Sequence, residues 1–210
     1  MPLRQQAGGV SGNSKILPSD DMHNTSMTLW TGFLQSFQEN IAHADTTTLD
    51  KLKTTNQRKY FFKTDLLPRI ADDLNLFYDD TKEFLRVDYT FFKKGSLHRW
   101  DVPMIFIESE NSWESAYEEV LKLCSVNAPL KILIQYGLND KLRGELEDRE
   151  THWDYIFQDY IHEIGLVGYF ALLVYVTQDD KSVTFKKMLY NNKGDIIDSG
   201  DIIIEIKNSR

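Results

Sequence analysis

Two apolar segments of this chain each carry acidic residues at positions where a buried strand normally has none. Asp88 lies within the strand-like segment 86–90, and Glu108 and Glu110 follow the apolar run 104–107. A charged side chain is rarely placed inside such a strand unless it is paired or binds a metal ion. These acidic residues therefore constrain both the fold and the chemistry of the chain.

Pairing of the two segments as a hairpin predicts which side chains meet. If the turn is centred near His98, Asp88 lies directly opposite Glu108. Arg86 then lies opposite Glu110 on the same side of the sheet, because side chains alternate along a strand. Directly opposed Cβ atoms lie roughly 4.5–5.5 Å apart, close enough for two carboxylates to share a divalent cation. The alternative is structural: a cross-strand ion pair between Arg86 and Glu110, with Asp88 as a solvated edge residue.

A helix and a further strand follow the hairpin. Ser115 and Glu118 have the spacing of a capping box and open a predicted helix that ends near residue 126. Residues 130–136 then form a short apolar strand. Strand, helix and strand make a βαβ unit, whose two strands are expected to be parallel.

The remaining periodicity completes an α/β fold, in which helices flank a mixed sheet that ends in an antiparallel meander. Helical spacing predicts further helices over residues 27–39, about 68–78 and about 140–164. Phe77 and Ile164 are expected on the buried faces of the last two of these helices. Alternating strands separated by turns are predicted over residues 169–177, 182–190 and 196–206.

The chain is interpreted as one domain, residues 23–210, after a disordered segment, residues 1–22, that mixes Gly, Ser, Asn and Pro without periodicity. Its single cysteine, Cys124, falls on an apolar helical face and is expected to be a buried thiol in a reducing compartment. No apolar run reaches the roughly 18 residues that span a bilayer. Because the first residues also lack the apolar core of a signal peptide, we expect a cytoplasmic protein with no membrane partner.

The chain is acidic overall but locally basic. It carries 24 Lys and Arg residues against 32 Asp and Glu residues, a net charge of −8 at pH 7. This balance argues against a protein coated with basic surface for non-specific nucleic-acid binding. A basic cluster is formed by Lys51, Lys53, Arg58, Lys59 and Lys63. Such a cluster is usually a solvated helix face, and nucleic-acid contact is the alternative.

The acidic hairpin, helix and parallel strand together resemble the core of the PD-(D/E)XK nuclease superfamily, the restriction-endonuclease-like fold. Nucleophile-elbow, phosphate-loop and zinc-spacing motifs are absent from the sequence. The resemblance covers roughly residues 66–136. Asp88 corresponds to the first Asp of the family pattern, and Glu108-Ser109-Glu110 occupies the acidic-x-Lys tripeptide.

The sequence departs from the family pattern at the lysine. The family expects lysine at position 110, where this chain has Glu110. In some members the lysine lies on the following helix, which makes Lys122 the candidate here. The alternative for Lys122 is a surface ion pair with Glu118, four residues earlier on the helix.

The resemblance implies a metal-dependent nuclease. Asp88, Glu108 and the backbone carbonyl of Ser109 would hold Mg²⁺ or Mn²⁺, which polarises the scissile phosphate. Glu110 or Lys122 would position the attacking water. The implied partner is nucleic acid, DNA rather than RNA, and a homodimer is left open.

Phosphate binding would need basic side chains around the acidic site. Lys93, Lys94, Arg99 and the basic cluster are the candidates.

Two other interpretations remain open. In the first, the same fold has lost catalysis and serves as a binding or assembly module, which the displaced lysine and the acidic net charge favour. In the second, the chain is an unrelated α/β protein whose acidic hairpin is a structural ladder of ion pairs.

Overall fold

The computed structural model describes residues 19–43, 50–79, 83–97, 100–111, 113–136, 155–178 and 182–205. These residues form one seven-stranded mixed sheet with helices on both faces. The helices are α1 (Ser19–Ala42), a 3₁₀ turn (Lys51–Lys53), α2 (Thr55–Phe61), a π-helical segment (Phe62–Leu66), α3 (Leu67–Asp73), α4 (Trp113–Ser125) and α5 (155–163). The strands are β1 (Phe77–Tyr78), β2 (Tyr89–Lys94), β3 (Asp101–Glu110), β4 (Leu130–Tyr136), β5 (Tyr169–Gln178), β6 (Ser182–Tyr190) and β7 (Ile196–Glu205).

The order of the strands across the sheet is the same as their order in the chain. Strands β3, β4 and β5 run parallel, and every other neighbouring pair is antiparallel. The predicted βαβ unit is confirmed, with Ile107 of β3 opposite Ile132 of β4 and α4 as the connection. The predicted meander of β5, β6 and β7 is also confirmed.

Two apolar layers hold the helices against the sheet. On one face, α1 to α3 and the π-helical segment cover side chains such as Ile105 and Ile107 of β3. On the other face, α4 and α5 cover Phe106 and its neighbours. Consecutive residues of β3 therefore enter different layers, as the alternation of a strand requires. Helix α1 presents a buried stripe at spacings of three and four, formed by Leu29, Trp30, Phe33, Phe37 and Ile41.

Helix α1 also contacts the far end of the sheet. The indole Nε1 of Trp30 donates to Asp198 Oδ2 of β7 at 3.0 Å. This bond joins the first helix to the last strand. The helix begins at Ser19, inside the segment predicted to be disordered, and residues 1–18 lie outside the described part of the chain.

Two predicted helices differ from the observed ones at their ends. Phe77 lies in β1 and is 36% exposed, because α3 ends at Asp73 and the chain reverses at Asn75, which has φ of 54°. Ile164 follows the last turn of α5 and is 78% exposed. Gly165, with φ of 83°, ends that helix. The first part of the predicted helix 140–164 lies outside the described residues.

The β2–β3 hairpin has the predicted register at its acidic end only. Tyr89 pairs with Ile107 and Phe91 with Ile105, but a bulge after Phe91 shifts the pairing by one residue toward the turn. None of the described helices is long and apolar enough to cross a lipid bilayer.

Candidate functional site

The candidate site lies where β3 and β4 end and β2 begins. In open α/β sheets, ligands bind outside the carboxyl ends of parallel strands. Asp88 reaches this edge because Leu85 and Arg86 take positive φ in a tight turn, which the bridge between Phe84 and Val87 closes. Strand β2 therefore starts at Tyr89 rather than at residue 86.

The carboxylates of Asp88 and Glu108 each accept a hydrogen bond from the backbone of the neighbouring segment. The amide of Asp88 donates to Glu108 Oε2 at 3.4 Å, and the amide of Ser109 donates to Asp88 Oδ2 at 3.2 Å. The two carboxylates therefore lie side by side at the sheet edge. Glu108 is 1% exposed, and Asp88 is partly exposed.

Lys122 brings a positive charge to this pair from α4. Its Nζ donates to Glu108 Oε1 at 2.7 Å and also pairs with Glu119, three residues earlier on the helix. The alternative partner Glu118 is exposed, and the ion pairs described for Lys122 run to Glu108 and Glu119. Helix α4, which follows β3, thus places a lysine next to the end of that strand.

Burial makes the ionised carboxylates costly. It raises the pKa of Glu108 to about 9, although the hydrogen bond from Lys122 opposes the rise. Burial also raises the pKa of Asp88, while the Ser109 amide and the nearby charge of Lys59 oppose that rise. For Lys122, burial lowers the pKa, but its bonds to the two glutamates outweigh this, so its pKa is raised.

The donor set fits a hard divalent cation. Glu108 and Glu119 both pair with the ammonium group of Lys122, and Asp88 is hydrogen-bonded to Glu108 through its backbone amide. The donors at the strand ends are oxygens, which Mg²⁺ prefers, and Mg²⁺ usually keeps several water ligands beside one or two carboxylates. Across the described ranges, no three His, Cys, Asp or Glu side chains are grouped closely enough to hold an ion on their own. Asp88 and Glu108 would therefore be the protein ligands, with the rest supplied by water and substrate.

Glu110 and Arg86 do not form the cross-strand ion pair that the sequence left open as the structural alternative. Glu110 accepts from the Asn111 amide at 2.5 Å and is partly buried on the same side of β3 as Glu108. Arg86 is exposed in the turn before β2, so the strand register does not place it opposite Glu110. Ser109 bonds Asp88 through its amide, and its own side chain is buried.

Arg58 is a site neighbour that the sequence did not identify. It was predicted as part of a solvated basic cluster, but it is 7% exposed and lies 3.7 Å from the centroid of the Tyr136 ring. It donates to the Leu52 carbonyl at 2.7 Å and to the side chain of Asn111. These contacts fix α2 over the ends of β3 and β4. Lys59, the next residue, is exposed on α2, and its charge opposes the rise in the pKa of Asp88.

The other basic candidates lie elsewhere. Lys93 and Lys94 are at the turn end of β2, and Lys94 pairs with Asp101 there. They lie five and six residues along the chain from Asp88, roughly 17 and 20 Å at 3.4 Å per residue. Arg99 lies outside the described residues.

Gln135 adds a neutral polar group to the site face. It lies opposite Glu110 in the parallel ladder, and Leu133, two residues earlier in the strand, lies opposite Glu108. Its side chain is fully buried, and Oε1 has no hydrogen-bond partner among the described residues.

Comparison with known proteins gives no match, either to a family model or to a curated protein.

Proposed function

We propose that this chain is a metal-dependent nuclease that hydrolyses phosphodiester bonds in nucleic acid, with DNA preferred over RNA. The observation that carries the proposal is the meeting of Asp88, Glu108 and Lys122 at the ends of β3 and β4. Few structural roles need a buried acid, a partly buried acid and a lysine brought together from three separate segments at the ends of the strands.

The order of elements supports a restriction-endonuclease-like core. Strands β1 to β3 are antiparallel, α4 follows, and β4 pairs in parallel with β3. This is the order that the resemblance implies for the core. The meander of β5 to β7 extends the same sheet.

Asp88 and Glu108 would bind Mg²⁺ or Mn²⁺, with the Ser109 carbonyl as the third oxygen. When bound, the ion supplies positive charge that polarises the scissile phosphate. Lys122 donates hydrogen bonds and can hold the attacking water through its free hydrogen, taking the role of the lysine displaced from position 110. Glu110 accepts hydrogen bonds on the same strand face. The reaction consumes one water and yields a phosphate monoester and a free hydroxyl, with no oxidant or reductant.

Cations at the rim would bind the substrate phosphates. Lys59 is exposed on a helix that Arg58 fixes to the strand ends, close enough for its charge to act on Asp88. A lysine in this place offsets the negative field that would otherwise repel a polyanion. Its position supports a single phosphate contact next to the metal ligands.

Cleavage and melting assays test the proposal together. Supercoiled plasmid, circular single-stranded DNA and a structured RNA are incubated with Mg²⁺ or Mn²⁺, and with EDTA as the metal-free control. We expect metal-dependent cleavage, loss of cleavage in Asp88→Asn, and wild-type cleavage in Asp72→Asn, which makes the same charge change on exposed α3. We also expect either metal to raise the melting temperature of the wild type but not of Asp88→Asn, because a ligand of the folded state stabilises it.

A wild type that neither cleaves nor gains stability from metal would contradict the nuclease proposal. The same fold acting as a non-catalytic binding or assembly module would then be the better explanation.

A further inference from the structure

Gln135 occupies a position that packing does not explain. It lies in β4 between apolar neighbours, is fully buried, and leaves Oε1 without a hydrogen-bond partner. A buried amide oxygen without a donor destabilises a fold relative to an apolar side chain of the same shape. We therefore expect Oε1 of this residue to bind a hydrogen-bond donor transiently.

The geometry of the ladder places Gln135 on the face of the candidate site. Glu108 and Glu110 lie opposite Leu133 and Gln135, and residues two apart on a strand share a face. Gln135 therefore lies on the strand next to that of Glu108 and two residues closer to the strand ends. Neighbouring strands are about 4.8 Å apart. Its Nε2 group lies 3.4 Å from the Tyr136 carbonyl, which leaves Oε1 as the free end.

The chemistry of that free end limits what it binds. An amide oxygen only accepts hydrogen bonds, so its partner must be a donor. An ionised phosphodiester carries only acceptor oxygens and cannot be that partner. Water can donate, and a water beside Lys122 would receive one hydrogen bond from the ammonium group and donate another to Gln135.

We propose that Gln135 is a positioning residue whose Oε1 accepts a hydrogen bond from the attacking water. This inference rests on the proposed hydrolytic function. With one hydrogen directed at Gln135 and the oxygen facing away from it, the water presents a lone pair to the phosphorus. The group acts on the water alone and binds no part of the nucleic acid.

The test compares Gln135→Met with Tyr136→Phe. Met has the same length as Gln but offers no strong acceptor. Tyr136 is the next residue, faces the opposite layer, and also has a buried side-chain oxygen that lacks a hydrogen-bond partner in the described part of the chain. Both variants are expected to melt at or above the wild-type temperature without metal, because each removes an unsatisfied polar atom.

Only Gln135→Met should change the reaction. We expect kcat to fall by about 10- to 100-fold, the range typical of groups that orient the ligands of a metal site. KM should stay within about twofold, since the substrate loses no contact. The rise in melting temperature caused by Mn²⁺ should be smaller than in the wild type, whereas Tyr136→Phe should match the wild type in all three measurements.

The possible failures are distinct. If the wild type shows no cleavage and no response to Mn²⁺, the proposed function is wrong and the inference falls with it. If the wild type responds and Gln135→Met behaves identically, only the inference is wrong. A Gln135→Met variant that melts well below the wild type without metal would show a structural role and would also overturn the inference.

Discussion

Replacing Glu108 by Gln tests the electrostatics of the site without changing its shape. Glu108 is buried beside Asp88, and its pKa is raised because burial disfavours the charged form. The folded protein therefore holds a proton that the unfolded chain releases. Stability from this group is complete below the ordinary pKa of 4.5 and is lost as the pH rises toward about 9. Gln does not titrate, so the variant avoids this loss.

The size of the effect follows from the pKa. At pH 7 the unfolded glutamate is about 2.5 pH units above its ordinary pKa, and each unit is worth about 1.4 kcal/mol. Glu108→Gln should therefore stabilise the metal-free protein by up to about 3 kcal/mol at pH 7 and by almost nothing at pH 4.5. For a chain of this length, this corresponds to roughly 6–12 °C in melting temperature.

Urea unfolding in EDTA at pH 5, 7 and 8.5 measures the difference directly. Glu118→Gln, on the exposed side of α4, is the control for the change in net charge and should show no such trend. In Mg²⁺ the difference in unfolding free energy between Glu108→Gln and wild type should shrink or change sign, because only the wild type gains binding energy from the metal. If Glu108→Gln is less stable than wild type at pH 7, Glu108 is ionised against Lys122 and the pair is a structural salt bridge.

Three further predictions concern the surroundings of the site. Lys59→Gln should weaken DNA binding in a filter-binding assay and reduce its salt dependence by about one phosphate contact. The control Lys193→Gln, in the β6–β7 turn, should change neither quantity. Equal effects of the two variants would contradict a phosphate contact made by Lys59. The affinity for Mn²⁺ measured by calorimetry should rise from pH 6 to pH 8, because the raised pKa values of Asp88 and Glu108 make protons compete with the metal. An affinity that does not change with pH would count against these two residues as ligands. Arg58→Met should lower the unfolding free energy in urea by about 2 kcal/mol, since a buried cation–π contact and two hydrogen bonds are lost, and an unchanged value would refute its anchoring role.

The arrangement of the acidic hairpin was predictable because local rules determine it. Alternation along β2 and β3 and the short turn between them are enough to bring Asp88 next to Glu108. A connection the length of α4 likewise requires β4 to run parallel to β3. The bulge after Phe91 was not predictable, but it lies toward the turn and leaves the acidic end unchanged.

The role of Arg58 could not be predicted from its neighbours. Its run of basic residues is typical of a solvated face, and its burial depends on Tyr136, which is distant in the sequence. The predicted start of a helix near residue 68 agrees with α3, which carries Pro68 in its first turn. The sequence did not indicate that the chain is already helical before this point, from α2 through the π-helical segment.

Gln135 could have been found from the sequence. It is a polar residue within an apolar strand, the same signal that identified Asp88 and Glu108. Lys131 in the same strand shares the signal and is fully buried, with its Nζ donating to the Val167 carbonyl. The pattern therefore marks buried polar residues in general. Only the fold shows that Gln135 lies at the site and Lys131 at the opposite end of β4.

The sequential order of the strands has a consequence for synthesis on the ribosome. Each strand pairs with the one made just before it, so the sheet can grow from its first edge as the chain emerges. Helix α1 is made first but bonds to Asp198 through Trp30, so its docking is complete only when β7 has been translated. Until then its apolar stripe stays partly uncovered, and nascent chains stalled before β7 should be the ones that chaperones bind most strongly.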